Sequence, residues 1–581
     1  FVEESENKTG NAHIIHHVSI VLLFTACSPN QSKQVSAEEQ SKNLIVLIGD
    51  GMGLPQITLT RLYSQMYLGK DRLFIDDYLV GTNSTRADRN EESGESGIVT
   101  DSAASGTAFA TGNKTYNGAI SVTNEEVARP VGSVLEAAKE EGKSTGLVTT
   151  ARITHATPAV YASHVRSRNN EDAIAVQYLE AGVDVLLGGG ERHFVASDEE
   201  AVYGKSARED GVSLKEQFEK EGYTLMHTKN DLKKAKESEK LLGLFSASHI
   251  PYNLDRDETV PSLKEQFDAA VQVLEKNDEG FVMMIEGGRI DHAGHANDLH
   301  SIVQEMLEFD EVFEAAVKYA KDKGDTSVIA TADHETGGLT IGSQNIYDAY
   351  LDVFQPITAS SEVIGKALEE AETIEDVKEI VKKYTTIDNL SDEEAAFIMS
   401  GHLPDGSVSS YKREGSFNAV IAKRGIFGWT GHGHTGVDVG VYGYGPAAER
   451  LRGFNDNTDF AKRGAEALGL SLEEVTKKLQ ERYIYPKYRL TADETFVFPA
   501  KSLSEVFDFE LQEEDDRYVL NGKQEVQIPK NAEAVVIKEK TYPILIEENH
   551  LYVPEEIIRL LAKEEVTWDA LSERFVLGKE K

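Results

Sequence analysis

The feature that most constrains the fold is an alternation of short apolar runs with amphipathic helical segments through the middle of the chain. The run from Leu44 to Ile48 is apolar throughout and stops at Gly49, as expected for a parallel strand buried on both faces. Further strands are predicted at residues 145–149, 183–187, 281–285 and 328–331. Helices are predicted at residues 134–141, 173–181 and 300–323, the last ended by Gly324. This alternation predicts a doubly wound, mostly parallel α/β sheet flanked by helices.

Acidic residues follow three of these predicted strands. Asp50 comes directly after Gly49, Glu286 follows the strand at 281–285, and Asp333 follows the strand at 328–331. The carboxyl ends of parallel strands meet at one edge of a sheet, where the loops of open α/β folds form ligand sites. We therefore expect the three carboxylates to converge at that edge.

A serine surrounded by small residues is the candidate nucleophile. Ser102 is preceded by Asp101 and followed by Ala103 and Ala104, so metal ions and a phosphorylated substrate can approach its hydroxyl. Such a serine is informative only when the rest of the chain supplies metal ligands. Three histidine-containing motifs do so, namely Asp291–His295, Asp333–His334 and His432–His434.

Two of these ligands would share one face of a helix. Asp291 and His295 are four residues apart, so both side chains can reach the same ion. Carboxylate and imidazole donors suit zinc, and the single cysteine, Cys27, excludes a structural site built from several thiolates. Two divalent ions about 3.5–4 Å apart can activate a nucleophile and hold the departing oxygen of a phosphate monoester.

Taken in order, the motifs resemble those of the alkaline phosphatases, and the resemblance covers about residues 43–452. It implies that Ser102 is the nucleophile and that Arg168, eleven residues after Thr157, binds the phosphate, with Arg166 as its rival. It also implies two zinc sites and one magnesium site. Their ligands would be Asp291, His295 and His434 for one zinc ion, Asp50, Ser102, Asp333 and His334 for the other, and Asp50, Thr157 and Glu286 for magnesium.

Three further histidines lie beside the implied ligands, and we expect them to tune the sites from outside the coordination shell. They are His155, His292 and His432. His155 stands where some alkaline phosphatases have an aspartate, so we expect weak magnesium binding at the third site, because imidazole favours zinc or cobalt. The other histidines are interpreted as surface or core residues, namely His164, His193, His227, His249, His300, His402 and His550.

The activity implied by the resemblance is hydrolysis of phosphate monoesters through a phosphoserine intermediate, for extracellular phosphate scavenging. Two alternatives stay open at this point: a phosphodiesterase or sulfatase of the same superfamily, and a non-catalytic zinc-binding surface protein. The serine motif together with Arg168, Thr157 and Glu286 favours monoesters. Members of the family are usually homodimers, so a homodimer is the oligomeric state that we consider.

The charge and the first residues of the chain bear on its partners and location. A formal net charge of −39, from 99 acidic and 60 basic residues, repels nucleic acid and anionic membranes. Residues 18–26 form an apolar run that is too short to span a bilayer and ends at Cys27. Residues 1–42 therefore resemble a bacterial lipoprotein signal with a lipidated Cys27 and a polar tether, or an ordinary secretory signal. Both interpretations predict a location outside the cytoplasm, secreted or lipid-anchored.

The chain is expected to contain one catalytic domain with two additions. The domain would cover residues 43–484, with a helical, acidic insertion at about residues 347–413. Residues 485–581 show short alternating apolar runs and one helix, which predicts a small appended α+β module. Because all implied ligands lie between Asp50 and His434, a chain ending near Ile484 is expected to keep its activity.

Overall fold

The computed structural model describes residues 39–578, and a sheet of ten strands lies at the centre of this part. In spatial order the strands are Gly453–Asn455, Leu79–Asn83, Val439–Tyr444, Thr326–Thr331, Asn43–Gly49, Phe281–Gly287, Ser144–Arg152, Val185–Gly189, Lys240–Leu244 and Tyr223–Met226. Neighbouring strands pair in parallel, except that Val439–Tyr444 is antiparallel to both of its neighbours. The predicted mostly parallel α/β fold is confirmed.

The central strand, Asn43–Gly49, shows how both faces of the sheet are covered. Its seven residues are all buried, and successive side chains point to opposite faces. Ile45 belongs to one hydrophobic cluster, together with residues of helix Leu299–Lys323. Leu44 belongs to a second cluster, to which helix Ser102–Thr111 contributes. Burial on both faces explains why this strand is a continuous apolar run rather than an alternating one.

Helices cover both faces of the sheet and extend beyond it. Before residue 481 the α-helices are Leu54–Tyr67, Ser102–Thr111, Val134–Glu140, Ala156–Ala159, Glu171–Ala181, Leu214–Lys220, Leu263–Leu274, Arg289–Ala296, Leu299–Lys323, Ser361–Glu369, Ile374–Thr385, Asp392–Ser400, Lys412–Gly425, Pro446–Arg450, Asn457–Leu468 and Leu472–Gln480. The long helix predicted at residues 300–323 ends as expected, because Gly324 takes a left-handed conformation with φ of 76°.

The direction of Val439–Tyr444 brings one candidate ligand to the site. This strand runs opposite to Thr326–Thr331, so it begins at the edge where the other strand ends. His434 lies just before it, in the short strand His434–Thr435, which pairs with Glu335–Thr336. A residue far along the chain is thereby placed beside the residues that follow a central strand.

The region predicted as an insertion, residues 347–413, is helical and packs into the main body. It contains the helices Ser361–Glu369, Ile374–Thr385 and Asp392–Ser400. Serine or threonine caps begin all three, and the second and third are capping boxes in which an acidic residue returns the bond. Their apolar residues, among them Ile364 and Leu368, join the same hydrophobic cluster as the helix Leu299–Lys323.

The C-terminal region is an α+β module with a hydrophobic cluster of its own. Its strands are Tyr483–Pro486, Arg489–Leu490, Phe496–Pro499, Glu510–Glu513, Arg517–Asn521, Glu525–Pro529, Ala534–Ile537, Lys540–Pro543, Leu545–Glu547, His550–Pro554, Val566–Asp569 and Arg574–Leu577, and its helices are Ala500–Phe507 and Glu555–Leu561. The first strand pairs with Arg574–Leu577 on one side and with Val127–Ala128 of the preceding domain on the other. The predicted boundary at 484/485 therefore falls inside a strand.

The predicted targeting segment mostly lies outside the described residues. Cys27 and the apolar run before it belong to residues 1–38, which the structure does not describe. Among the helices of residues 39–578, no segment combines the length and the apolar character needed to cross a bilayer.

Candidate metal centre and nucleophile

Ser102 is the first residue of a fully buried helix. Asp101 caps this helix, Ser102–Thr111, by accepting a hydrogen bond from the Ala104 backbone N–H at 3.0 Å. Ser102 itself is only 2% exposed, and its Oγ lies 3.2 Å from Nε2 of His334. The free N–H groups and the dipole at a helix start favour an anion. A phosphate group facing Ser102 would meet this favourable potential.

The first group of candidate ligands contains Asp291, His295 and His434, whose ligand atoms lie within 4.8 Å of one another. Helix Arg289–Ala296 presents the first two on one face, as their spacing predicts. Nε2 of His295 lies 3.3 Å from Asp291 Oδ2 and 3.1 Å from Nε2 of His434. Nδ1 of each imidazole faces a backbone carbonyl. For His434 it is the carbonyl of Thr100, at 2.8 Å, and for His295 it is that of His432. With Nδ1–H donated in this way, the neutral form of each imidazole carries its lone pair on Nε2, the atom that a metal ion would bind.

The second group contains Asp50, Asp333 and His334, all fully buried. Nε2 of His334 lies 3.2 Å from Asp333 Oδ2 and 3.6 Å from Asp50 Oδ1. Gly51 takes φ of +69° and donates its N–H to Asp333 at 3.0 Å. A Cβ at this position would lie 2.8 Å from the Cα of Asp291, so only glycine fits the turn between the first two groups.

The third group contains Asp50, His155 and Glu286. His155 was expected to act from outside the coordination shell; in the structure one of its ring nitrogens lies within 4.8 Å of carboxylate oxygens of Asp50 and Glu286. Glu286 accepts a hydrogen bond from Thr149, a residue that the sequence analysis did not single out. The hydroxyl of Thr157 is buried nearby without a hydrogen-bond partner.

The donor atoms of these groups fit cations. In the described residues six buried side-chain atoms that face the groups have no hydrogen-bond partner, namely Asp50 Oδ1 and Oδ2, His155 Nδ1, Thr157 Oγ1, Glu286 Oε1 and Asp333 Oδ2. Burial together with neighbouring carboxylates, Asp333 first, raises the pKa of Asp50 well above its usual range. Burial likewise raises the pKa of Glu286 to about 7. Buried carboxylates in such a cluster require compensation by positive charge, which divalent cations would supply.

The structure separates the two candidate arginines. The Arg168 guanidinium donates from Nη1 to Asp101 Oδ2 at 2.8 Å, and its Nη2 lies 3.2 Å from Nε2 of His155. It is thus attached to the residue before Ser102 and to the third group. Arg166 instead donates to the backbone carbonyls of Glu125 at 3.1 Å and Tyr485 at 2.9 Å.

The remaining predicted histidines lie around the ligands. His432 donates from Nδ1 to the backbone carbonyl of His295 at 2.7 Å, and the backbone carbonyl of His432 accepts from Nδ1 of His295. The ring of His292 lies 5.8 Å from that of His155, centroid to centroid. His249, interpreted from sequence as an ordinary residue, belongs here too, because its ring lies 4.2 Å from His292 and 5.4 Å from His155. No local pattern around His249 indicates this.

A second missed residue lies at the end of the sheet. The Thr336 hydroxyl donates to Asp291 Oδ1 at 2.6 Å and lies 3.2 Å from Nδ1 of His334. It therefore links a carboxylate of the first group to the imidazole of the second. Its position two residues after His334 is the only sequence signal that could have indicated it.

The doubly wound sheet and the three ligand groups around a buried serine define a metal-dependent hydrolase of phosphate esters. The family comparison agrees: residues 41–470 match the model of the alkaline phosphatase family, and the chain belongs to that family of phosphoric monoester hydrolases. Alkaline phosphatase 3 of Bacillus subtilis (strain 168) is 38% identical over 454 residues, which are 76% of this chain and 92% of that protein.

Solved structures agree with this assignment. The alkaline phosphatase of Thermus thermophilus superposes with a TM-score of 0.66 at 31% identity, covering 78% of this chain and 99% of the other. The cold-active enzyme of a psychrophilic Shewanella sp. gives 0.63 at 34% identity, covering 73% of this chain and 99% of the other.

Proposed function

We propose that this chain hydrolyses phosphate monoesters through a phosphoserine at Ser102, at a centre of two zinc ions and one magnesium ion. The observation that carries the proposal is the position of Ser102 Oγ. It lies at a helix start, 3.2 Å from Nε2 of His334, and the preceding residue, Asp101, holds the guanidinium of Arg168. Nucleophile, ligand groups and phosphate-binding arginine thus meet at one edge of the sheet.

The chain's own residues support a displacement in two steps. Arg168 would bind two phosphate oxygens with its paired donors, while Asp101 keeps the guanidinium in place. Ser102 Oγ would form a bond to phosphorus as the bond to the alcohol oxygen breaks, the serine proton passing to a base and the alkoxide taking up a proton. Water would then cleave the Ser102–phosphate bond and release inorganic phosphate. When bound, the metal ions would supply Lewis-acid charge that lowers the pKa of a coordinated hydroxyl and shields the phosphate dianion.

The donor chemistry supports a specific metal at each group. Two of the groups combine nitrogen and oxygen donors, which suits zinc. One consists of Asp291, His295 and His434, and the other of Asp50, Asp333, His334 and Ser102. Asp50, Thr157 and Glu286 offer oxygen to magnesium, with His155 adding one nitrogen. A His-to-Asp mutant of the alkaline phosphatase from the Antarctic bacterium TAB5, 25% identical to this chain, holds magnesium in its M3 site.

Imidazole at the third group should make magnesium binding weak. His155→Asp is therefore expected to lower the magnesium concentration that restores activity after chelation and zinc repletion. Identical magnesium titrations for the wild type and for His155→Asp would contradict this assignment.

Release of p-nitrophenol from p-nitrophenyl phosphate, with and without a chelator, tests the activity. We expect chelation to abolish hydrolysis, zinc with magnesium to restore it, and metal analysis to find both elements. Bis(p-nitrophenyl) phosphate and p-nitrophenyl sulfate should react far more slowly; faster turnover of either would favour the diesterase or sulfatase alternative. No hydrolysis by the metal-loaded protein would leave only a binding role.

Trapping of the intermediate tests the nucleophile. Acid quenching with labelled substrate should leave phosphate on the peptide that contains Ser102, and Ser102→Ala should lose about 10⁴-fold or more in kcat. Ser163→Ala is the matched control, since Ser163 is also buried but bonds only to the Ala159 carbonyl. Wild-type turnover by Ser102→Ala would exclude this serine as nucleophile.

We further propose that the protein acts outside the cytoplasm in phosphate scavenging, as a homodimer. The apolar run before Cys27 supports export. The net charge of −39 argues against nucleic acid as a partner. Metabolic labelling with palmitate should tag the wild type and not Cys27→Ser, and light scattering should give twice the monomer mass. Unlabelled wild type in the culture medium would favour the secretory signal.

A further inference from the structure

The segment that carries Arg168 is a loop between two fixed points of the catalytic domain. Val165 pairs with Ile120 before it, and helix Glu171–Ala181 begins after it. Within the domain the backbone of Arg168 is held by one hydrogen bond, from its N–H to the Gly118 carbonyl at 2.7 Å. A loop of this kind has low local stability unless other contacts hold it.

Two such contacts come from the C-terminal module, and they lie symmetrically about Arg168. Two residues before it, Arg166 donates from Nη1 to the Tyr485 carbonyl at 2.9 Å. Two residues after it, Asn170 donates from Nδ2 to the Leu571 carbonyl at 2.8 Å. Both acceptors are backbone oxygens of the module.

These acceptors are themselves well fixed. Tyr485 is fully buried in the strand Tyr483–Pro486, which pairs on both of its edges. Leu571 lies in the turn before Arg574, whose guanidinium donates to both carboxylate oxygens of Glu180 at 2.9 and 2.7 Å. Glu180 belongs to the helix that begins after the Arg168 loop. The module is therefore anchored to the same structural unit whose loop it contacts.

We propose that the C-terminal module positions Arg168 for phosphate, with Arg166 and Asn170 as positioning residues. The proposal rests on the proposed role of Arg168 and adds a part of the chain to the phosphate site. Without the module both carbonyls would be lost. The bonds of Arg168 to Asp101 and of Arg166 to the Glu125 carbonyl would remain, but the loop would be less restrained and the guanidinium would face the substrate for a smaller fraction of the time. A chain ending near Ile484 should thus bind phosphate poorly, in contrast to the expectation from sequence alone.

Point variants of the full-length protein test the two contacts. Arg166→Gln removes the donor group that reaches Tyr485 and, with it, the bond to the Glu125 carbonyl of the catalytic domain, so Asn170→Asp is the variant that affects a module contact alone. Asn170→Asp removes the donor to Leu571 but keeps an oxygen that can accept from Ala173 N–H at the helix start, as Asn170 does now at 3.3 Å. A lost hydrogen bond of about 1–1.4 kcal/mol predicts a KM and a phosphate inhibition constant raised about 5–10-fold, with a smaller change in kcat.

Matched controls separate positioning from charge. Arg489→Gln removes the same charge from the same cavity of about 660 Å³ that Arg166 lines, without a contact to the loop. Asn169→Asp adds the same charge as Asn170→Asp at the adjacent exposed residue. We expect both controls to change KM less than twofold. If the control variants raised KM as much as the two positioning variants do, the proposal would be overturned. Arg166→Lys should recover part of the phosphate affinity that Arg166→Gln loses.

A double-mutant cycle asks whether the effect passes through Arg168. In an Arg168→Lys background, which already lacks the paired donors, Arg166→Gln should add no further loss of phosphate affinity. Full additivity would show that Arg166 acts by another route. Hydrogen exchange of the metal-free protein gives a readout that needs no activity: protection of the Arg168 amide should fall in both positioning variants and not in the controls. If the wild type hydrolyses no monoester, the proposed function fails, while unchanged exchange would overturn this inference alone.

Discussion

The insertion at residues 347–413 and the C-terminal module are both additions to the same catalytic domain, yet they are attached to it in different ways. Ile364 and Leu368 of the insertion are fully buried in the hydrophobic cluster that also contains residues of the central strand. The module buries its own cluster, to which the catalytic domain contributes one residue, Val127. The insertion is thus part of the main core, whereas the module has a separate core. The module is attached by strand pairing, by polar contacts and by a small apolar cluster in which Tyr485 packs with Ala119, Val122 and Ala128.

This difference predicts two kinds of coupling to the active site. A region that shares the core should unfold together with it, because cooperative unfolding follows contiguous packing. A region with its own core can unfold by itself, and its influence on the site must pass through specific bonds. For the insertion one such bond also exists, from Arg289 to Glu362 at 2.9 Å, close in sequence to the candidate ligand Asp291. For the module the bonds are those of Arg166 and Asn170.

The largest expected effect comes from a charge placed in either core. Ile364→Asp and Ile558→Asp each bury a carboxylate at a fully buried position, at a cost of several kcal/mol. We expect Ile364→Asp to abolish the folded catalytic domain and with it all hydrolysis. Ile558→Asp should unfold the module only, leaving a folded catalytic domain with a raised KM. Calorimetry and kinetics measure both.

One calorimetric result would remove the distinction between the two regions. If Ile558→Asp also eliminated the main unfolding transition, the module and the catalytic domain would be a single cooperative unit. A chain cut near Ile484 would then fail to fold, rather than fold with a weakened phosphate site.

An intermediate effect is expected at the ion pair that attaches the module. The Arg574 side chain is 5% exposed, donates to both oxygens of Glu180, and lies 4.3 Å over the Tyr483 ring. Arg574→Gln should destabilise the docked module by about 1–3 kcal/mol and leave the main transition in place. Arg482→Gln is the control, because Arg482 is exposed and contacts the same ring at 4.9 Å without the ion pair. Equal stability of both variants would show that strand pairing alone holds the module.

The sequence indicated the sheet and most members of the candidate ligand groups because both depend on local patterns. A strand buried on both faces is apolar along its length, and an acid after it must lie at the edge of the sheet, as Asp50 and Asp333 do. Helical spacing likewise brought Asp291 and His295 to one face. The position of His155 could not be predicted in this way, because its distance from Glu286 depends on how the turn after strand Ser144–Arg152 folds against the end of strand Phe281–Gly287.

Contacts made by backbone carbonyls leave even less trace in a sequence. Tyr485 and Leu571 contact the Arg168 loop through carbonyl oxygens, so their side chains give no indication of it. The exact boundary of the module is hard to predict for a related reason. Strand Tyr483–Pro486 pairs with a strand of the module and with a strand of the catalytic domain. A change in the pattern of apolar residues cannot show on which side of such a shared strand a domain ends.

The smallest expected effect concerns a partly buried carboxyl where the insertion meets the core. Glu414 accepts a hydrogen bond from the Ser361 hydroxyl at 2.7 Å. Burial, and then the nearby carboxylates Asp298 and Glu362, raise its pKa to about 7, against the opposing effect of Ser361. A carboxyl with a raised pKa contributes stability that is fully present below its unfolded pKa of about 4.3 and is lost as the pH rises through about 7.

The variant Glu414→Gln should remove this dependence, since glutamine still accepts from Ser361 and never ionises. Its melting temperature should match that of the wild type near pH 5 and exceed it by about 1–3 °C at pH 8. Glu510→Gln, on an exposed residue of the module, is the control and should show no such difference. Because the insertion shares the main core, the shift should appear in the main transition. A shift confined to a separate unfolding transition would show that the insertion is less integrated into the main core than its packing indicates. The same would follow if the wild type lost no stability relative to the variant above pH 7.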